Sequence, residues 1–266
     1  MSSAEKKSIL GVLLDPVDRA TAARMIIQAA HQRLAFPVSA LAVHGVMTGV
    51  LDQAHRYRLN RFALLVADGQ PVRWALNLLY GAGLEQRVYG PDLMLEVLQH
   101  AERENLPVYF YGSTTDVLNH LCINLRKKFP SLQIAGMECS TFCRVTPEVA
   151  DQIAERITKA GARIVFAGLG CPRQEVWAYE FRERLGLPIV TVGAAFPFIA
   201  GSLAQAPHWV QDLGFEWLFR LATEPRRLWR RYLLLSPAFF VLVFGQRLGF
   251  RFRSEGRPPR EELFYA

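Results

Sequence analysis

Short apolar runs rich in β-branched and aromatic residues alternate along most of the chain with longer segments whose apolar residues recur at three- and four-residue spacing. The first kind predicts strands at Ser39–Val43, Phe62–Val66, Val108–Tyr111, Leu132–Ala135, Arg163–Ala167 and Ile189–Val192. The second predicts helices, with start signals that fit. Asp18 can cap Arg19–Arg33, Pro91 opens a helix running to Arg103, Thr115 leads into Val117–Phe129, and Thr146 with Pro147 begins one ending near Gly161. Strands that alternate with helices in this way predict an α/β, Rossmann-like, mostly parallel sheet covered by helices.

Several predicted strands end in glycine or aspartate: Ala67-Asp68-Gly69, Tyr111-Gly112-Ser113, Ala167-Gly168-Leu169-Gly170 and Val192-Gly193-Ala194-Ala195. In an open α/β sheet such turns lie at the carboxyl edge, where ligands bind and helix N-termini point free N–H groups at anions. After Ala206-Pro207 the strand signals stop, and two helical segments follow, about Val210–Ala222 and Pro225–Leu235. The expected organisation is a Rossmann-like domain over residues 1–206 and a helical, arginine-rich appendage over 207–266.

Charge sharpens this division. The chain carries a formal +7, and from Phe215 onward ten arginines face five glutamates, so most of the basic excess sits at one end. A basic, aromatic tail favours phosphates or acidic lipid. Tyr232–Phe244 is the longest apolar stretch and contains Pro237, too short a run to predict a spanning helix. Met1–Leu14 lacks a convincing cleavage site, so the expected location is peripheral, on the cytoplasmic face of the membrane. Cys122, Cys139, Cys143 and Cys171 form no C-x-x-C pair and read as reduced thiols.

Two classes are disfavoured by what is missing. The glycine turns lack the third glycine of a dinucleotide fingerprint and the Lys-Ser/Thr of a phosphate-binding loop. Aromatics in the tail alternate with leucine rather than forming a stacking platform, which argues against nucleic acid.

Asp68 follows an apolar strand and precedes Gly69, a placement that suits a general base and equally a cap on the helix starting near Pro71. Val165–Trp177, VFAGLGCPRQEVW, puts Arg173, Gln174 and Glu175 in a first helical turn; Arg173 suits a phosphate and Gln174 a base or sugar, while Glu175 can cap its own helix. Ala194 and Ala195 allow either ligand approach or tight packing. Arg226, Arg227, Arg230 and Arg231 lie within two helical turns with Glu224 as their only nearby acid, leaving cations for phosphate or lipid, or a solvated basic face.

Five blocks in this order carry a resemblance: ADGQPVRWA at Ala67–Ala75, RVYGPDLM at Arg87–Met94, GLGCPRQEVW at Gly168–Trp177, GAAFPFIAG at Gly193–Gly201, and the stretch Ala206–Leu233. The chain resembles the WecG/TagA/CpsF glycosyltransferases over nearly its whole length. The resemblance implies an inverting transferase that moves a hexose, an N-acetylhexosamine or its uronic acid from a UDP-sugar to a polyprenyl diphosphate-linked saccharide during cell-envelope or exopolysaccharide synthesis. Asp68, Gln174 and His44 are the expected catalytic residues. Gly69, Gly112, Gly168, Gly170, Arg173, Ala194, Ala195, Arg220, Arg227 and Arg230 are expected to bind substrate. Neither cofactor nor metal is called for, since Asp-x-Asp is absent; homo-oligomerisation is left open. Where the family's first strand ends Thr-x-Asn this chain has Ala42-Val43-His44. Phe196-Pro197-Phe198 replaces Phe-Asp-Phe, and Gln205 stands in a position that is often basic. These departures bear on the donor sugar, and a catalytically inactive membrane scaffold of the same fold is the alternative.

Overall fold

The computed structural model describes residues 5–207, 210 and 214–266. His208, Trp209 and residues 211–213, which belong to the last resemblance block and in part to the predicted helix at Val210–Ala222, lie outside the described residues. The chain opens with a hairpin that the sequence pattern did not predict, β1 (Lys7–Ile9) against β2 (Val12–Leu14). Its turn residues Leu10 and Gly11 both take positive φ, 53° and 89°, the two-residue turn whose twist matches paired strands.

Six parallel strands form the main sheet: β3 (Phe36–Leu41), β4 (Leu64–Ala67), β5 (Val108–Gly112), β6 (Ile134–Glu138), β8 (Ile164–Gly168) and β9 (Pro188–Thr191), in the order β4-β3-β9-β8-β5-β6. A separate two-stranded antiparallel sheet pairs β7 (Arg144–Val145) with β10 (Phe264–Tyr265). All six predicted strands are present, shifted by up to three residues. The largest shift is at β3, where Ala42 leaves the strand to begin α2 (Val43–Leu51), followed at once by α3 (Gln53–Leu59). Asp52 ends the first and caps the second, accepting from the N–H groups of Ala54 and His55.

Alternate residues of each strand feed opposite layers, as the pleat requires. Leu64, Val66, Val108, Phe110, Ile164 and Phe166 face α1 (Arg19–Gln32), α5 (Gly90–Arg103), α6 (Thr115–Lys128) and α9 (Ala195–Ala200). Leu65, Ala67, Tyr109, Tyr111, Val165 and Ala167 face the layer containing α2, α4 (Gln70–Tyr80), α7 (Pro147–Lys159) and α8 (Arg173–Leu185). Both faces are covered, so the strands read as continuous apolar runs.

The C-terminal part begins with α10 (Glu216–Thr223) and continues into one helix, α11 (Pro225–Arg247). α11 is twenty-three residues long and holds an 18-residue window with a mean hydropathy of 1.3, long and apolar enough to cross a bilayer by length and composition, which corrects the expectation that no such segment exists. The sequence pattern stopped this helix at Leu235 because of Pro237. The turn Arg230–Leu235 is a π turn, so the hydrogen-bond ladder is already displaced where proline would interrupt it. One stripe of α11, Phe239 and Val243, is buried in the layer that holds α2 and α4.

Beyond α11 the chain returns across the body. Asn60 donates to the Ser254 carbonyl at 2.7 Å, and Arg257 N–H donates to the Gln53 carbonyl at 3.2 Å. Phe264 completes a column of rings, Tyr111–Trp177–Phe181–Phe264, with centroids 4.6, 4.3 and 5.9 Å apart. Residues past 236 therefore share the core of the sheet rather than standing off from it. Phe264→Ala should remove about 3 kcal/mol of stability, by loss of buried ring area and the cavity left under Phe181, measured by urea unfolding.

Candidate functional site

β4 ends at Ala67, and Asp68 extends its ladder by one bond, N–H to the Leu41 carbonyl at 3.1 Å. The following helix, α4, is capped by Gly69 without help from a side chain, so Asp68 does not cap it. Its Oδ1 instead accepts from the N–H of Gly90 at 2.9 Å, the first residue of α5. The carboxylate is thus fixed at the positive end of a fourteen-residue helix while keeping some solvent exposure. Burial pushes its pKa up from 3.8 to about 6, against the opposing pull of the Arg87 guanidinium and the Gly90 N–H; Glu216 adds to the rise and Arg220 reduces it.

Arg87 pairs with Glu216 and lies over the Tyr89 ring, 4.2 Å from its centroid. The Tyr89 hydroxyl donates to Glu216 Oε1 at 3.2 Å, and Gln205 Nε2 donates to the Tyr89 hydroxyl at 3.3 Å. Glu216 opens α10, so the C-terminal part is clamped to the body beside Asp68. Arg87, Tyr89 and Glu216 were missed as site residues from sequence. Arg87 and Tyr89 sit in the RVYGPDLM block, directly before a glycine-proline helix start, which is the signal that pointed to them.

Gln174 is buried in the first turn of α8 and spans two glycine turns. Its Oε1 accepts from Gly170 N–H at 3.2 Å, and a Cβ on Gly193 would stand 3.3 Å from the same oxygen. Its Nε2 donates to Glu175 Oε1 at 2.8 Å, which also accepts from Ser39 Oγ at 3.0 Å. Glu175 is fully buried, its pKa raised by desolvation, and it holds the Gln174 amide in one orientation rather than standing at the open end of its helix. From Gln174 the edge runs through Gly193 and Val192 to Gly90 and so to Asp68, since a Cβ on Gly90 would lie 3.6 Å from the Val192 carbonyl and 4.0 Å from Asp68 Oδ1.

The remaining glycines divide by cause. Gly170 takes φ +77° with open space around it, a conformational requirement. A Cβ on Gly168 would run into the Phe196 ring at 2.5 Å, so packing accounts for it, whereas Gly112 combines a φ of +106° with a Cβ that would meet Gly168 at 3.0 Å. Gly69 would bring a Cβ to 3.4 Å of Ala42. Ala195 is fully buried in the core and makes no surface for a ligand, a correction of its reading as a substrate contact; Ala194, at the turn, is partly exposed.

His44 lies at the start of α2 against the Cys171 backbone, with neither ring nitrogen in a hydrogen bond of normal geometry. Burial, helped by the charge of Arg231, lowers its pKa to about 4, so the ring is neutral. Arg231 is itself shifted down, by burial first and then by Arg227 and Arg220, with the Cys171 thiol acting the other way. Arg227 meets Glu224 at 2.8 Å and Arg220 meets it at 3.9 Å. Two cations therefore share one carboxylate, and among the described residues Arg231 has no carboxylate partner. Arg231 joins the site and was not singled out for it from sequence, because helical spacing alone does not tell which of four arginines faces inward. Arg230 is exposed and lies over Trp229 at 5.2 Å, and Arg173 is exposed with its guanidinium 5.8 Å from the Tyr265 ring. Neither is brought to the cluster.

An open parallel sheet with a raised-pKa carboxylate and an arginine cluster along its carboxyl edge defines a class of proteins that bind phosphorylated ligands at helix N-termini. A model of the Glycosyl transferase WecG/TagA/CpsF family matches residues 7–253, and the chain belongs to that family. The chain is also similar to the N-acetylglucosaminyldiphosphoundecaprenol N-acetyl-beta-D-mannosaminyltransferase of Bacillus spizizenii, 32 % identical over 169 residues. That match covers 63 % of this chain and 63 % of the relative's own length.

The charges around Asp68 make opposed expectations. Glu216→Gln removes a neighbour that raises the carboxyl, so its pKa should fall below about 6; Arg87→Gln removes the largest opposing charge, so it should rise. Side-chain carboxyl NMR titration of the two variants would read both shifts.

Proposed function

We propose that the protein is an inverting, metal-independent glycosyltransferase acting on a UDP-sugar donor and a polyprenyl diphosphate-linked saccharide. The observation that carries the reading is the Asp68 carboxylate, held by the Gly90 N–H, partly exposed and titrating near 6. A base in that range is ionised at neutral pH yet basic enough to take a proton from a sugar hydroxyl as it attacks. The acceptor oxygen bonds to the anomeric carbon as the bond from that carbon to the diphosphate oxygen breaks. The electron pair leaves with UDP, and the proton ends on Asp68. A single displacement inverts the anomeric centre.

Charge on the departing diphosphate requires a fixed counter-charge. Arg220, Arg227 and Arg231 supply more positive charge than Glu224 neutralises, and among the described residues no three His, Cys, Asp or Glu side chains converge as metal ligands. Gln174, braced by Glu175, shapes the glycine turns that border the same edge. The relative's name supports an N-acetylmannosamine donor and an N-acetylglucosaminyl diphosphate acceptor on undecaprenol for this chain too.

Such an acceptor stays in the headgroup layer, so the enzyme must come to it. Leu233, Leu234, Phe240, Val241 and Phe244 of α11 are exposed, with the arginine-rich turns at the helix start. A spanning helix is sheathed in lipid on every side, whereas Phe239 and Val243 are buried against the folded body. This favours α11 lying at the surface of the membrane, on the side where nucleotide sugars are made, with the protein peripheral.

Asp68→Asn should lower transfer roughly 10²–10⁴-fold while leaving UDP binding intact, measured by product formation and calorimetry. Wild-type transfer should fall as pH drops below about 6, because the carboxylate is lost by protonation there. Unchanged transfer in Asp68→Asn would sink the reading, and UDP-sugar binding with neither UDP release nor transfer in the wild type would favour the scaffold. Arg231→Ala breaks no ion pair among the described residues and should weaken UDP-sugar binding by about tenfold or more, read by titration calorimetry.

A further inference from the structure

β4 is the terminal strand of the sheet, and two segments cover its outer side without forming a strand. Asp15 N–H donates to the Leu65 carbonyl at 2.7 Å, with Leu65 N–H returning to Asp15 Oδ2 at 2.8 Å; farther along, Val88 N–H donates to the Ala67 carbonyl at 2.8 Å. From these anchors the chain diverges. One branch leads into the start of α1, and the other comes from the loop at Gly83–Arg87. Between them lies a groove of about 570 Å³, within the range of roughly 300–1,000 Å³ usual for small-molecule sites. α1 and α5 both begin here, which places the groove at the carboxyl edge, next to Asp68.

Both walls are pre-formed. Asn77 donates to and accepts from Leu84 at 2.9 Å in each direction, fixing the loop. Arg19 ties α1 to α5 through Glu96 at 2.6 Å and Asp92 at 3.1 Å. The lining carries two arginines, Arg19 and Arg87, against Asp18, Glu85 and Glu96, a net of minus one, with Thr21 and Gln86 as neutral polar groups. That balance leaves no excess cation for a phosphate inside the groove and offers the mixed donors and acceptors that sugar hydroxyls need.

Position on the sheet says which sugar. His44 follows β3 and Cys171 follows β8, so the arginine cluster that faces them lies inward from β4, whereas the groove lies outward. Asp68 stands between. In a direct displacement the attacking oxygen and the departing phosphate occupy opposite sides of the anomeric carbon, and the base belongs with the attacker. We propose that the groove between the start of α1 and the Gly83–Arg87 loop is the subsite for the saccharide of the lipid-linked acceptor, with Arg87 shared between that subsite and the Asp68 cluster. This rests on the transferase reading above.

The test fills the groove from an exposed position. Gln86→Trp, in the full chain, should raise the KM for a short-prenyl N-acetylglucosaminyl diphosphate by roughly tenfold or more, with the KM for the UDP-sugar unmoved. Saturation-transfer NMR with the same acceptor should lose its signal in the variant and keep it in Asp68→Asn, a readout independent of turnover. An unchanged acceptor KM and NMR signal in a folded Gln86→Trp would overturn the subsite, as would an equal rise in both KM values. Failure of the transferase reading looks different: the wild type would then transfer no sugar, and there would be no acceptor KM to compare.

Discussion

The hydrogen bond from Gly90 to Asp68 joins two elements that are distant in sequence and sets the geometry of the rest. It holds the end of an edge strand against the positive end of α5, so a carboxylate kept largely from water is balanced by a helix terminus and a guanidinium. Arg87, called to balance Asp68, is itself balanced by Glu216, and Glu216 begins the C-terminal helices. The C-terminal cover, the arginine and the Asp68 carboxylate are thus one electrostatic unit, and the position of the tail is tied to the balance of a largely desolvated charge.

The same coupling explains why the C-terminal part does not stand apart. α10 is held by polar contacts at the site, α11 by an apolar stripe against α2 and α4, and the last strand by the ring column under α8. Three different kinds of interaction hold three successive segments. The arginines that crowd Glu224 gain their orientation from this, since a helix free to rotate would turn them to water.

Much of the fold was legible because strands buried on both faces leave unbroken apolar runs; all six sheet strands and the capping of α1 by Asp18 were read this way. Several smaller features were not, and three of them have clear reasons. The β1–β2 hairpin is too short for periodicity to register, α2 begins without a side-chain cap, and Pro237 reads as a helix stop unless a π turn precedes it. At the site, Asp68 and Gln174 were marked by the glycines beside them. Arg87, Tyr89 and Glu216 were not read as site residues: the first two sit in a resemblance block at a glycine-proline helix start, but their tie to Glu216 is a contact across more than a hundred residues, which no local pattern records. Ala195 looked like room for a ligand and is filled by the core instead; small size near a glycine turn has both meanings in sequence.

The stripe of Phe239 and Val243 has a mechanical side. α11 packs on α2, which carries His44 in its first turn, and on α4, which starts one residue after Asp68's neighbour Gly69. A bilayer that tilts or lifts the outer face of α11 acts on a lever whose short arms are these two helices. The stiffness of the lipid, and not only its charge, then becomes a variable that reaches the reacting groups.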